Sequence, residues 1–192
     1  MDAKEIKRKE IAEAAKELFT DYGYKAVSME QIAQKSNVAK GTLYLYFKDK
    51  EDLFIYLVEE FIKQLNSLVQ EIENKKLSLI DEIHEVIYSL LMYRKSQKLI
   101  YRISKEAKEF RTQLSCKAID MLDDTISVYL EKRLNNAVEK GLIKPCNTTI
   151  LAFLVIKVYT AIAFEWEEKH EPLNEREIAE SVKNFLKQGL LL

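Results

Sequence analysis

Glycine and proline are nearly absent from the interior of this sequence, and where they stand constrains the fold more than any other feature. The 192 residues hold only four glycines and two prolines. Gly23, Gly141, Pro145, Pro172 and Gly189 fall where helices would stop, because glycine closes a helix at little conformational cost and proline cannot continue one. No sustained alternation of apolar and polar residues bounded by hairpin dipeptides runs between them, so a sheet has little support. An all-α chain is expected, and 47% hydrophobic residues are enough to bury a substantial core.

Gly41 is the exception, since it stands inside an expected helix, and its surroundings explain why. The stretch Ser28–Phe47, SMEQIAQKSNVAKGTLYLYF, reads as two short helices around a tight turn. Ser28 and Gln31 have capping-box spacing, in which hydroxyl and amide each satisfy an orphan backbone donor at a helix start. Ile32 and Ala33 supply the apolar side of that helix, and the small Ala33 lets a second helix cross closely. Ser36 and Asn37 then break the pattern, because both favour local bonds to the backbone and Asn tolerates a left-handed turn. Val38 is the expected apolar plug of that turn. The second helix is expected over Lys40–Phe47, with Leu43 and Phe47 one turn apart toward the core and Lys40, Thr42, Tyr44 and Tyr46 outside. Glycine within it costs roughly 1 kcal/mol relative to alanine, so close approach of the backbone to a partner is the expected reason for Gly41.

These residues, with the segment before them, resemble the N-terminal domain of TetR/AcrR-type transcriptional regulators. The resemblance runs from about Lys4 to Phe61. It is carried by Ala14-Ala15-x-x-Leu18-Phe19, the Tyr22-Gly23-Tyr24 corner, Gly41-Thr42-Leu43-Tyr44 and Phe47-Lys48-x-Lys50-Glu51. It implies a three-helix helix-turn-helix DNA-binding domain over residues 1–50, followed by a helical ligand-binding and dimerisation domain over 51–192, about nine helices in all. Three positions depart from the commoner family pattern, where Gly, Ser and His would stand at Asn37, Ala39 and Tyr46. Ala39 lacks a capping side chain, which weakens the start of the recognition helix by about 1 kcal/mol.

Helical periodicity extends the reading along the chain. A first helix over Lys4–Asp21 aligns Ile11, Ala14, Ala15, Leu18, Phe19 and Tyr22 on one face. A long helix begins at Asp49, with Asp52 at the capping-box position. Further helices are expected over Ser78–Arg94, Gln97–Lys105, Phe110–Lys140 and Thr148–Lys169. A last one starts after Asn174, which pairs with Glu177 as another capping box, and Gly189 closes it.

Charge distribution supports a nucleic-acid partner more than net charge does, since the total is −1. Lysines stand at 35, 40 and 48 with no acidic residue between Gln31 and Lys48, so that segment is locally basic. Lys40 can reach a phosphate or a guanine edge, and the Thr42 methyl can meet a thymine methyl. Tyr44 and Tyr46 offer phenolic donors to phosphates, while Ser28 with its helix start and Lys50 attract anions. The family resemblance also places the lysine at position 50 on the DNA backbone.

The partners that the resemblance implies are double-stranded operator DNA, a second copy through the last two helices, and a small-molecule effector. For dimerisation the apolar set is Leu151, Phe153, Leu154, Val158 and Ile162 with Ile178, Val182, Phe185 and Leu186. The resemblance implies an effector pocket among the C-terminal helices, for which Tyr88, Met92, Tyr93, Tyr101, Phe110, Met121, Tyr129, Tyr159, Phe164 and Trp166 offer an apolar, aromatic lining suited to a hydrophobic or amphipathic ligand. The function expected is a ligand-responsive repressor released from its operator by that effector. The alternative is a helical protein-interaction adaptor without DNA binding, which leaves a glycine inside an exposed basic helix unexplained.

Enzymatic classes find no support: there is no Gly-rich phosphate loop and no nucleophile elbow. Cys116, Cys146, His84 and His170 are too scattered for a metal site, and no cofactor is expected. The longest apolar stretch, Ile150–Phe164, is too short for a membrane span and contains Lys157. With no secretory leader evident, a cytoplasmic protein with reduced thiols is expected.

Overall fold

The computed structural model describes residues 2–166 and 169–190, and of Lys108, Ala163, Phe164, Glu175, Ala179 and Leu190 the backbone only. Among the described residues there are nine α-helices and no strand. They are α1 (Ala3–Tyr22), α2 (Met29–Lys35), α3 (Lys40–Tyr46), α4 (Lys50–Glu73), α5 (Leu79–Ser96), α6 (Lys98–Phe110), α7 (Gln113–Glu139), α8 (Thr148–Thr160) and α9 (Glu175–Leu190). A π-helical turn, Ala161–Glu165, follows α8 directly, where a continuous α-helix was expected. α9 runs through Gly189 instead of stopping there.

The chain divides into two compact units, one of Met1–Lys63 with Lys95–Ile119 and the other of Gln64–Arg94 with Asp120–Leu192. Besides the helix-turn-helix, the first unit takes in the start of α4, all of α6 and the first turns of α7.

In the first unit, α1 supplies Ile11, Ala15 and Phe19, which are fully buried with Ile32 of α2, Leu43 of α3, and Phe47 and Leu53 around the start of α4. Rings of Phe19, Tyr24 and Phe54 meet at centroid distances of 5.1–6.1 Å, in tilted and edge arrangements that suit their quadrupoles. Tyr22, expected on the buried face, is 64% exposed. The chain leaves α1 at Gly23, with φ +86°, and Tyr24 occupies the place against Phe19. α6 packs on α1 and buries Leu99, Ile100 and Ile103. Its Arg102 donates to the carbonyl of Thr20 at the end of α1. A Cβ at position 23 would lie 3.1 Å from the Arg102 guanidinium, so both backbone sign and space favour glycine there.

In the second unit an apolar core from α5, α7, α8 and α9 includes Ile83, Leu90, Leu130, Val155 and Val182. Polar pairs are set into it. Glu82, 4% exposed, accepts from the Tyr129 hydroxyl at 2.9 Å and Arg133 Nη2 at 2.6 Å. Arg94 pairs with Asp123 at 3.0 Å. His84 Nδ1 and the Tyr159 hydroxyl share a hydrogen bond of 2.7 Å. Burial pushes the His84 imidazole down to about 4 and raises the Tyr159 phenol, so both are neutral near pH 7.

Candidate nucleic-acid interface

Local signals build the recognition element as expected. Ser28 caps α2: its Oγ accepts from Gln31 N at 3.3 Å, and Gln31 Oε1 accepts from Ser28 N at 2.7 Å. Asn37 takes the left-handed conformation, φ 52°, that turns the chain toward α3. α3 has no side-chain cap at Ala39, and Leu43 is the buried residue within it. Asp49 accepts from Asp52 N at 2.8 Å, and the Asp52 carboxylate reaches back to Lys48 N at 2.9 Å, which fixes the entry to α4.

The outward face of α3 carries Lys40, Gly41, Tyr44 and Leu45 exposed, with Thr42 and Tyr46 half-buried. Nothing lies within 4 Å of where a Gly41 Cβ would be, so the free chain has room for alanine at this position. Leu45 is 78% exposed, an apolar side chain beside Tyr44 that the sequence reading did not single out. Its signal was present, because a leucine two positions after the core Leu43 cannot share its face at 100° per residue.

Two lysines of the basic segment already hold carboxylates. Lys40 pairs with Glu30 of α2, and Lys35 with Glu17 of α1 at 2.6 Å. Hydrogen bonds to these partners raise both lysine pKa values and lower those of Glu17 and Glu30. The basic run is therefore partly neutralised by acidic residues lying outside it in sequence. Lys50 is turned inward: its ammonium donates to the carbonyls of Tyr24 at 2.8 Å and Val27 at 2.7 Å and lies 4.4 Å from the Tyr24 ring centroid. Burial lowers its pKa, and these bonds tie the α1–α2 loop to the start of α4.

The candidate effector-lining residues are spread over both units. Tyr159 is fully buried against His84, Tyr88 stacks on His84 at 5.7 Å, and Tyr129 bonds to Glu82. The Tyr93 hydroxyl donates to Gln64, and Met92 and Met121 are half-buried. Trp166 stacks on His170 at 4.1 Å and donates Nε1 to the Glu171 carbonyl at 3.0 Å. Tyr101 and Phe110 are exposed on α6, in the first unit. The Phe164 side chain lies outside the described residues. Among the described residues no group of three metal-ligating side chains comes together, and no helix is long and apolar enough to cross a membrane.

A capped helix, a left-handed turn and a second helix with an exposed basic and aromatic face define a helix-turn-helix DNA-binding protein. Residues 11–57 match the family described as bacterial regulatory proteins, tetR family. Over 184 residues, 96% of each chain, the sequence is 33% identical to the HTH-type transcriptional regulator YhgD of Bacillus subtilis strain 168. It is 30% identical over 150 residues to the fatty acid metabolism regulator protein of the same organism, covering 75% of this chain and 74% of that one. Salmonella enterica GusR shares the fold with a TM-score of 0.76 and 21% identity, over 98% of this chain and 97% of that one. The chain belongs to the TetR family and is a DNA-binding transcriptional regulator.

Proposed function

We propose that the protein is a homodimeric, cytoplasmic repressor that binds a near-palindromic operator and is released by a hydrophobic or amphipathic effector. The open outer face of α3 carries this reading. Gly41 leaves room there for a DNA backbone or base edge, and Lys40, Thr42, Tyr44, Tyr46 and Leu45 surround it. Lys40 and Thr42 meet base edges in the major groove, and the apolar Leu45 suits a thymine methyl. Tyr44, Tyr46 and the Ser28 cap hold phosphates. Lys50 spends two donors on the Tyr24 and Val27 carbonyls, which leaves its third to reach a phosphate. Residues 1–50 carry DNA binding and residues 51–192 the effector response and dimerisation.

One helix-turn-helix reads about half a site, so two copies are needed about one helical turn apart or at multiples of that spacing. The exposed apolar side chains of α8 and α9 support pairing through them: Ile150, Phe153, Leu154, Val158 and Phe185. Of the residues expected at that interface, Ile178, Val182 and Leu186 are instead buried within the chain, so the pairing surface is narrower than the sequence pattern suggested. The relative named for fatty acid metabolism supports a lipophilic effector.

The test is binding of the purified protein to the DNA upstream of its own coding region against a random duplex, across a range of salt. A sequence-selective complex that weakens linearly in log salt is expected. Equal affinity for both duplexes at moderate salt would remove the reading.

A further inference from the structure

The recognition helix is short and has few anchors. α3 spans seven residues, Ala39 gives it no side-chain cap, and Leu43 is the buried residue within it. Its other fixed point is Phe47, just past its end, where the backbone turns extended (φ −137°, ψ 121°) and the ring is fully buried. Two buried anchors and the exposed Lys40–Glu30 pair at its start leave rotation of the helix about the line between the anchors weakly determined, unless the second is itself held from the side.

Arg8 of α1 supplies that hold. Its guanidinium carbon lies 5.1 Å from the centroid of the Phe47 ring and 4.4 Å from that of Tyr56 in α4. The two rings meet edge to face at 5.3 Å. Tyr56 is 6% exposed, and neither its hydroxyl nor Arg8 Nε has a hydrogen-bond partner. Among the described residues no carboxylate forms an ion pair with Arg8. A guanidinium without a carboxylate partner, lying against two rings, is held by their negative faces. Three helices converge on this one side chain. Burial raises the Tyr56 phenol, with the carboxylates of Glu60 and Glu5 adding to it and Arg8 and Lys63 opposing it, so the surroundings are of mixed charge and not a uniformly basic phosphate site.

We propose that Arg8 is a positioning residue for sequence recognition: by bridging Phe47 and Tyr56 it fixes the C-terminal end of α3 against α1 and α4, and so the orientation in which Lys40–Tyr46 meets the bases. The inference rests on the proposed reading that this helix contacts bases. It separates Arg8 from the phosphate-contacting cations, because a side chain that sets helix orientation governs discrimination between sequences and not general attraction to DNA.

The experiment uses the full chain and the duplex that the wild-type protein enriches from a random-sequence library. A scrambled duplex of the same composition is the control. Arg8→Met keeps the aliphatic stem and removes the cation. It should bind the enriched duplex about tenfold more weakly while affinity for the scrambled duplex and the salt slope on both stay unchanged. Arg8→Lys should recover part of the loss, and Tyr56→Leu should reproduce it. If Arg8→Met does not fold, loss of discrimination by Tyr56→Leu decides the matter. Equal weakening on both duplexes with the salt slope reduced by about one would make Arg8 a phosphate ligand and overturn the proposal. Equal weakening with an unchanged slope and a lower melting temperature would make it simple structural support, and undiminished discrimination would exclude any role. A wild-type protein that enriches no sequence removes the base-contact reading and this inference with it.

Discussion

In the helix-turn-helix region, the helix caps and the ion pair on the recognition helix sit at the surface and bond to near neighbours, with Lys50 on the Tyr24 and Val27 carbonyls as the long-range exception. Ser28 with Gln31 and Asp49 with Asp52 are three residues apart, and Lys40 reaches Glu30 ten residues back. The second unit has surface pairs too, but it also holds a set in its interior that joins residues 29 to 75 positions apart: Arg94 with Asp123, Glu82 with Tyr129 and Arg133, His84 with Tyr159. Surface caps and ion pairs contribute modestly and individually, whereas a buried polar pair is costly to break because the survivor is left unsatisfied. Breaking one of these interior pairs is therefore expected to cost more stability than removing a surface cap of the recognition element.

The largest effect that would sharpen this contrast is expected from Glu82→Ala. It leaves the Tyr129 hydroxyl and Arg133 guanidinium without their acceptor and should cost about 3 kcal/mol in denaturant unfolding. A loss under 1 kcal/mol would break the contrast.

Next is the pH dependence of His84. Its imidazole is depressed to about 4 in the folded chain, below the ordinary value near 6.5. Between those values the unfolded chain binds the extra proton, so stability is full above about pH 6.5 and falls progressively toward pH 4. The total is on the order of 3 kcal/mol. Thermal unfolding from pH 4 to pH 7.5 should show this dependence in the wild type and a flatter one in His84→Gln.

Gly41→Ala should have the smallest effect on stability and the opposite sign. With open space at its Cβ, it should gain about 0.5–1 kcal/mol from helix propensity while operator affinity falls. A stabilised variant with undiminished affinity would show that no close backbone approach occurs at this glycine.

The same contrast explains what could be read in the sequence. The Ser28 and Asn174 capping boxes and the left-handed Asn37 depend on residues a few positions apart, and the structure has all three. Tyr22 has the helical phase of Ile11, yet α1 ends there and the half-buried Tyr24 takes the place against Phe19. Gly189 looked like a stop, but α9 passes through it without the positive φ a glycine cap uses. Lys50 on two carbonyls, Arg8 on two rings and α6 on α1 join distant segments, and no local pattern announces them. The exposure of Leu45 was legible from its phase, but apolar residues on short helices are ordinarily read as core.

The Lys40–Glu30 and Lys35–Glu17 pairs mean that the recognition element arrives carrying its own counter-charge. In the proposed complex, a lysine that grips DNA must first let go of a carboxylate, so docking there is an exchange of partners. Added electrolyte weakens the grip on DNA, but it also loosens the internal pair that competes with it. The two responses oppose each other, so counting phosphate contacts from ionic-strength dependence alone would give too few.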